Sequence, residues 1–185
     1  EENVNDFREI MVQFWYPSAD NQNKEVEPYM DFIELRSKTI AEAGNLPSFL
    51  PSHLNLVKTN SYSKIACKTQ KGGLPAVVFS HGITGSRHLH QALFENLASH
   101  GYIVVALDHS YDSNLTIFPD GRIADYRSEI TGHHDSVNIR RNQMNTRTKD
   151  VGFVLNQLTK IHSGKIKSSL NYKICLLYTS PSPRD

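Results

Sequence analysis

Two short, wholly apolar runs lie close together in the middle of the chain. Residues 76–79 and 103–107 are all aliphatic or aromatic, whereas a strand with one solvated face would alternate apolar and polar residues. A glycine-containing loop and a predicted helix over 88–100 separate the two runs. Strand, loop, helix and strand within about 35 residues form a βαβ unit, whose strands are parallel. The unit limits the chain to an α/β fold with a buried sheet.

The helix of this unit carries its own boundary signals. Ser86 is a candidate N-cap and Gly101 stands where a helix commonly ends. The predicted buried stripe is the set of apolar residues at helical spacing, Leu89, Ala92, Leu93, Leu97 and Ala98.

Further elements are predicted on both sides of this unit. Residues 8–16 alternate with period two, which indicates a strand that Pro17 ends. Helical spacing predicts a helix over 29–43, and a second, long helix over 139–161. Residues 114–126 are typical of a hairpin or loop excursion because Pro-Asp-Gly, a turn tripeptide, stands in their middle.

Composition excludes several classes of protein. The chain has 185 residues, 38% hydrophobic and 21% charged, which is enough apolar material for a folded core. A net charge of +1 without a basic block argues against nucleic-acid binding. Two cysteines are too few for a disulfide framework or a cysteine zinc site. No apolar run approaches the roughly 20 residues of a membrane span.

The loop after the first apolar run is the strongest candidate for a site. It reads Ser-His-Gly-Ile-Thr-Gly-Ser-Arg over 80–87, and ligands of open α/β sheets bind at the carboxyl ends of strands, where this loop lies. It matches neither a P-loop nor a G-x-G-x-x-G fingerprint. Taken alone, the pattern leaves two readings open: an anion-binding loop, or a tight turn that needs glycine.

Several segments resemble one family in the same order. Residues 77–87 and 97–109 are similar to the α/β-hydrolase fold, and in particular to platelet-activating-factor acetylhydrolase-like esterases. The segments 8–17, 56–62, 118–122 and 140–158 fit the same family, so the resemblance covers roughly residues 8–170. It implies a mixed, mostly parallel sheet flanked by helices.

The resemblance also implies a role for the loop. In such enzymes this loop supplies one backbone N–H to an oxyanion hole. Carried onto this chain, the donor is the backbone N–H of Ile83, with His81, Gly82 and Gly85 shaping the loop. Because the donor is a backbone group, an aliphatic residue can occupy the position.

The chain departs from the family in one essential feature. An α/β hydrolase needs a serine on a G-x-S-x-G elbow, then an acid, then a histidine, and no G-x-S-x-G occurs here. We expect residues 1–173 to be a partial α/β-hydrolase domain that stops before the nucleophile strand, leaving the strand at 76–79 as an open edge. We expect residues 174–185 to be a non-native tail resembling translated sequencing adapter.

Other polar residues carry weaker signals. His88 and His90 lie two apart on the predicted helix and do not face each other, so we predict no metal site. The pair Asp108-His109 follows a strand and is expected to be structural or pocket-lining, since the resembled family does not use this position in its triad. Two positions are open to Arg87, lining the pocket or facing solvent, and we expect the second. The serines at 80, 86 and 110 are expected to be caps or turn residues.

These observations leave three hypotheses. The first is the N-terminal part of a serine esterase, acting on a small ester or phospholipid-like substrate without a cofactor, and inactive as this chain stands. The second is another α/β hydrolase, of the dienelactone hydrolase or peptidase type. The third is a non-catalytic α/β module that binds an anion or a partner at the loop. Compartment and oligomeric state are not predicted.

Overall fold

A mixed four-stranded sheet between helices organises the computed structural model, which describes residues 7–18, 24–63, 65–68, 71–127, 130, 132–167 and 174–176. The helices and strands lie largely where apolar alternation, apolar runs and helical spacing in the sequence predict them. Their bounds are β1 (Met11–Trp15), α1 (Ile33–Gly44), a 3-10 helix (Pro51–Leu56), β2 (Leu74–Ser80), α2 (Gln91–Ser99), β3 (Ile103–Asp108), β4 (Leu115–Ile117), β5 (Ile123–Asp125), α3 (Ser136–His162) and β6 (Ile174–Leu176).

The sheet has the strand order β1-β3-β2-β6. β2 and β3 run parallel, with Ala76 opposite Ile103 and Ser80 opposite Leu107, so the predicted βαβ unit is confirmed. β1 pairs antiparallel with β3, and β6 pairs parallel with β2. Apart from this sheet, β4 and β5 form the predicted antiparallel hairpin around Gly121, whose φ of 86° suits the turn.

Each face of the sheet packs against one helix. Val154 and Leu158 of α3 bury themselves against Ile103 and Val105 on one face. On the other face, Phe94 of α2 contacts a cluster that includes Val104 and Ala106. β3 is therefore buried along its whole length, as its continuous apolar sequence predicts.

The helix α2 corrects two expectations. It begins at Gln91 with His90 as the N-cap, so Ser86 is not the cap. Its buried residues are Gln91, Phe94 and Ala98, while Leu89 and Leu93 are about half exposed. The helix starts later than its apolar pattern suggests because the preceding residues, 87–90, form turns, in which Arg87 and His88 are buried while Leu89 and His90 are exposed.

The outer side of β2 differs from the expected open edge. β6 pairs with Leu74, Pro75 and Ala76 there, which corrects that expectation only for Ala76, since the open edge was expected over 76–79. Within the described chain, residues 77–80 have no strand partner on this side. β6 lies inside the segment assigned to a non-native tail, and the boundary at residue 173 stays a prediction. Among the helices described, none combines the length and apolarity needed to cross a membrane.

Candidate functional site

The parallel register brings two polar segments to one edge of the sheet. Ser80 is opposite Leu107, so the loop that follows β2 and the residues that follow β3 leave the sheet side by side. The carboxyl ends of parallel strands are where α/β folds place their ligands. The predicted loop therefore lies at the expected edge, beside Asp108 and His109.

One peptide group in this loop is held from a single side. The Gly82 carbonyl accepts hydrogen bonds from the Gly85 N–H, at 3.0 Å, and from Nδ1 of the His81 ring. The same planar, trans peptide carries the Ile83 N–H, which therefore points away from that carbonyl. Within the described residues the Ile83 N–H has no hydrogen-bond partner, and 39% of the Ile83 surface is exposed.

Gly85 is required by close approach of the backbone. A Cβ atom at this position would lie 2.9 Å from the Gly82 carbonyl oxygen and 3.1 Å from Cβ of His81. Any larger residue would push the Gly82–Ile83 peptide out of place. Gly85 thus serves a tight turn, and the same turn fixes the direction of an N–H group, so the two readings of the glycine pattern are compatible.

The segment after β3 fastens the other side of the loop. The Thr84 N–H donates to the Asp112 carbonyl at 3.2 Å, and the Asn114 N–H donates to the Gly85 carbonyl at 3.0 Å. Thr84 has a φ of 56°, a left-handed conformation that costs a β-branched residue about 1 to 3 kcal/mol. These hydrogen bonds help to maintain that strained conformation.

The protonation state of His81 follows from its contacts. The His109 backbone N–H, which can only donate, lies 3.1 Å from Nε2 of His81, so Nε2 is the unprotonated nitrogen. Nδ1 then carries the hydrogen and donates to the Gly82 carbonyl. Burial, which is nearly complete, lowers the pKa of His81 and favours this neutral ring.

His109 is held through both of its ring nitrogens. Nε2 lies 2.9 Å from Oγ of Ser80, and Nδ1 lies 2.8 Å from Oδ2 of Asp150, which belongs to α3. Arg8 forms a bidentate pair with the same carboxylate at 2.7 and 2.8 Å. Burial alone would raise the pKa of Asp150, but hydrogen bonds from Arg8 and His109 and the charge of Arg8 outweigh it and lower the pKa.

Arg147 completes this group. It donates to Asp112 at 2.9 Å and to Oγ of Ser80 at 3.1 Å, and it contacts the His81 carbonyl. We call Arg8, Ser80, His81, His109, Arg147 and Asp150 the histidine cluster.

A second buried polar group lies where the loop runs toward α2. The Arg87 N–H donates to Oδ1 of Asp108 at 2.7 Å, and its guanidinium pairs with Asp108 and Asp31 and donates to Gln13 at 3.0 Å. Arg87 is only 1% exposed, so the expectation that it faces solvent is wrong. The carboxylates of Asp31 and Asp108 compensate the buried charge, so the Arg87 side chain is stable in the interior.

Arg36 and His88 belong to the same group. Arg36 pairs with Asp31 at 2.7 Å and donates to the Leu115 carbonyl. Burial, reinforced by the charges of Arg87 and Arg36, lowers the pKa of His88 well below 6.5, so its 3.4 Å approach to Asp31 is not an ion pair. We call Asp31, Arg36, Arg87, His88 and Asp108 the arginine cluster.

The structure thus settles where the polar candidates lie. Asp108 and His109 are both buried, and their side chains bond to Arg87 and Asp150 respectively. Sequence reasoning missed the partners Arg8, Arg147 and Asp150. Asp150 shares a helix face with the buried Val154 and Leu158, four and eight residues later, and this helical spacing is the signal that could have found it. Among the described residues no group of three or more His, Cys, Asp or Glu side chains could hold a metal ion.

Comparison with known proteins identifies the fold and the family of this chain. A Streptomyces cinnamoneus ferulic acid esterase structure superposes with a TM-score of 0.61 at 35% identity, over 82% of this chain and 39% of that one. The fold is that of an α/β hydrolase. The family described as platelet-activating factor acetylhydrolase, isoform II, matches residues 2–176, and the chain belongs to that family.

Curated relatives carry related names. The platelet-activating factor acetylhydrolase of Canis lupus familiaris is 32% identical over 86% of this chain and 38% of its own length. A putative phospholipase A2 of Schizosaccharomyces pombe is 30% identical over 58% of this chain and 26% of its own length. The chain therefore spans well under half the length of these relatives.

Proposed function

We propose that the protein carrying this chain is a serine carboxylic ester hydrolase that cleaves short acyl esters, including phospholipid-like esters, through an acyl-enzyme. In this proposal the Ile83 N–H is one donor of the oxyanion hole. The observation that carries it is the Gly82–Ile83 peptide, whose carbonyl is held by two hydrogen bonds while its N–H has no partner within the described chain.

Family membership supports the class of reaction. The relatives that match are named as an acetylhydrolase and a phospholipase, and the matching structure is an esterase. All three names describe hydrolysis of carboxylic esters, which differ in acyl chain and alcohol. The shared chemistry, rather than any one substrate, is what we carry to this protein.

The geometry suits the chemistry of acyl transfer. When a serine attacks an ester carbonyl, negative charge develops on the carbonyl oxygen, and a fixed N–H stabilises that charge without having to reorient. The neutral ring of His81 and the close contact at Gly85 hold the peptide before substrate arrives. The loop would thus provide one preorganised donor, and no cofactor is needed for the step.

Replacing Ile83 tests the proposal in the full-length protein. Ile83→Pro removes the N–H, and we expect kcat/KM for p-nitrophenyl acetate to fall about 100- to 1,000-fold, the range for loss of one oxyanion donor. The matched control is Ile83→Val, which keeps the N–H and a similar side chain and should stay near the wild-type value. Equal activity of the two variants would rule out the donor role.

The chain as it stands should be inactive. It contains no G-x-S-x-G and therefore no nucleophile on an elbow. We expect no turnover of p-nitrophenyl acetate above a heat-denatured control. Reproducible turnover by the folded chain would contradict this, and would place a nucleophile within residues 1–185.

A further inference from the structure

We propose that His109 is a positioning residue for the Gly82–Ile83 peptide, with Asp150 and Ser80 as its supports; this rests on the proposed oxyanion role of that peptide. His109 does not touch the peptide itself. It acts through the ring of His81, which stands between them.

The contacts form one continuous path. The His109 N–H donates to Nε2 of His81 at 3.1 Å, and this leaves Nδ1 of His81 as the donor to the Gly82 carbonyl. Moving His109, or allowing the His81 ring to change tautomer, would release the carbonyl. Because carbonyl and N–H share one rigid plane, the Ile83 N–H would turn with it.

The ring of His109 can occupy only one orientation. Its Nδ1 faces an acceptor, the Asp150 carboxylate, and its Nε2 faces the Ser80 hydroxyl. A flipped ring would present carbon atoms to both partners and leave a buried donor and acceptor unpaired. Since the ring is fully buried, this holds the residue, and with it the direction of its backbone N–H.

Ser80, His109 and Asp150 are linked in the order of a serine–histidine–carboxylate triad, yet two features oppose a nucleophilic Ser80. Arg147 donates to its oxygen at 3.1 Å, which engages a lone pair that would attack a substrate. Ser80 also ends an extended strand, whereas hydrolase nucleophiles stand on a sharp strand-to-helix turn. We therefore assign the three residues to positioning.

The first test uses this chain and needs no activity. In ¹⁵N-edited NMR spectra of the imidazole rings, His81 should be neutral and protonated at Nδ1 alone at pH 7.5. A ring protonated at Nε2, or a mixture of tautomers, would overturn the proposal. Treatment with a phosphonate ester should leave Ser80 unmodified by mass spectrometry, whereas an adduct there would make it a nucleophile and overturn the assignment.

The second test compares two substitutions at Asp150 in the full-length protein. Asp150→Ala removes the acceptor for Nδ1 of His109, and we expect kcat to fall about 10- to 100-fold through misplacement, with KM changed less than about threefold. Asp150→Asn keeps an acceptor oxygen and should recover most of that loss. Asp125→Ala removes an exposed carboxylate outside the cluster and should match wild type.

These outcomes distinguish the positioning role of His109 from the oxyanion role of the Ile83 N–H on which it rests. If Ile83→Pro lowers kcat and Asp150→Ala does not, His109 has no positioning role while the oxyanion donor stands. If Ile83→Pro has no effect, the oxyanion role itself fails. A loss in Asp150→Ala that Asp150→Asn does not recover would also overturn the positioning role, because the hydrogen bond to His109 would not be its cause.

Discussion

The histidine cluster and the arginine cluster flank the same loop, and both bury charged side chains, but they differ in how completely they are bonded. In the histidine cluster, both nitrogens of His81 and of His109 have partners. In the arginine cluster, Nδ1 of His88 and Nη2 of Arg36 are buried with no hydrogen-bond partner among the described residues.

This difference indicates two kinds of task. A fully bonded network specifies the orientation of each member, which suits a site that must hold a peptide in place. In the arginine cluster the members instead compensate one another's buried charges. Removing one member would leave a buried charge without its partner, which destabilises the folded state. We therefore expect substitutions in the arginine cluster to act mainly on stability, and those in the histidine cluster mainly on geometry.

The largest effect should come from Asp108. Asp108→Ala leaves the Arg87 guanidinium buried with one of its two carboxylates gone, and removes the acceptor for the Arg87 N–H. We expect the free energy of unfolding to fall by about 3 to 5 kcal/mol, the usual cost of breaking a buried pair. Urea denaturation followed by circular dichroism measures it. If Asp108→Ala lowered the free energy of unfolding no more than Asp125→Ala at an exposed position, the arginine cluster would not depend on charge compensation.

Asp150→Ala should destabilise the protein less. Its partner Arg8 is 23% exposed and can regain water, so the main cost is the unsatisfied Nδ1–H of His109. That cost is about 1 to 3 kcal/mol, again from urea denaturation. If Asp150→Ala proved as costly as Asp108→Ala, the two clusters would not differ in their dependence on charge.

Mild acid should destabilise the fold through both clusters. Burial lowers the pKa of His81, and burial with neighbouring arginines lowers the pKa of His88 well below 6.5, so each ring takes up its proton at a lower pH in the folded protein than in the unfolded chain. Stability is therefore fully present above pH 6.5 and is lost as the pH falls.

The share of His88 can be isolated by substitution. His88→Gln cannot titrate and should remove about 1 kcal/mol from the stability difference between pH 6.5 and 5.5. The matched control is His53→Gln at an exposed position. An unchanged pH dependence in His88→Gln would show that this ring is not kept neutral by the arginine cluster.

The smallest effect should come from a charged group outside both clusters. Arg122 pairs with Glu9 and Asp120 on the surface, where all three side chains are about half exposed. Exposed pairs gain little because water screens them, so Arg122→Ala should leave the urea midpoint unchanged within error. A measurable shift would mean that exposure does not separate this group from the two clusters.

Much of the fold was predictable from local patterns. The apolar run of β3 predicts a strand that is buried along its whole length, and the alternation before Pro17 predicts β1. The apolar run of β2 predicts the strand but not its full burial, since residues 77–79 are only half-buried. The hairpin around Gly121 followed from its turn residues. The start and buried face of α2 were misjudged, since Gln91 and Phe94 are buried by what packs on them and not by helical spacing alone.

The candidate site also has a part that the sequence predicted and a part that it did not. The loop and its glycines were found from the sequence, because a close backbone approach at Gly85 demands a residue without a side chain. The burial of Arg87 was not predictable, because the compensating carboxylates of Asp31 and Asp108 lie 56 and 21 residues away along the chain. Nothing in its immediate neighbours distinguishes this arginine from an exposed one.

The sequence by itself determined the βαβ unit and the position of the loop, since each depends on residues close together in the chain. Ile83 as the candidate donor came from the resemblance to a family and stays a proposal. Only the tertiary structure decided how that donor is held. It brings Arg8 and Asp150, 142 residues apart, to a shared ion pair behind His109. Such partners depend on the register of β1 against β3 and on the packing of α3, which side-chain patterns do not encode locally.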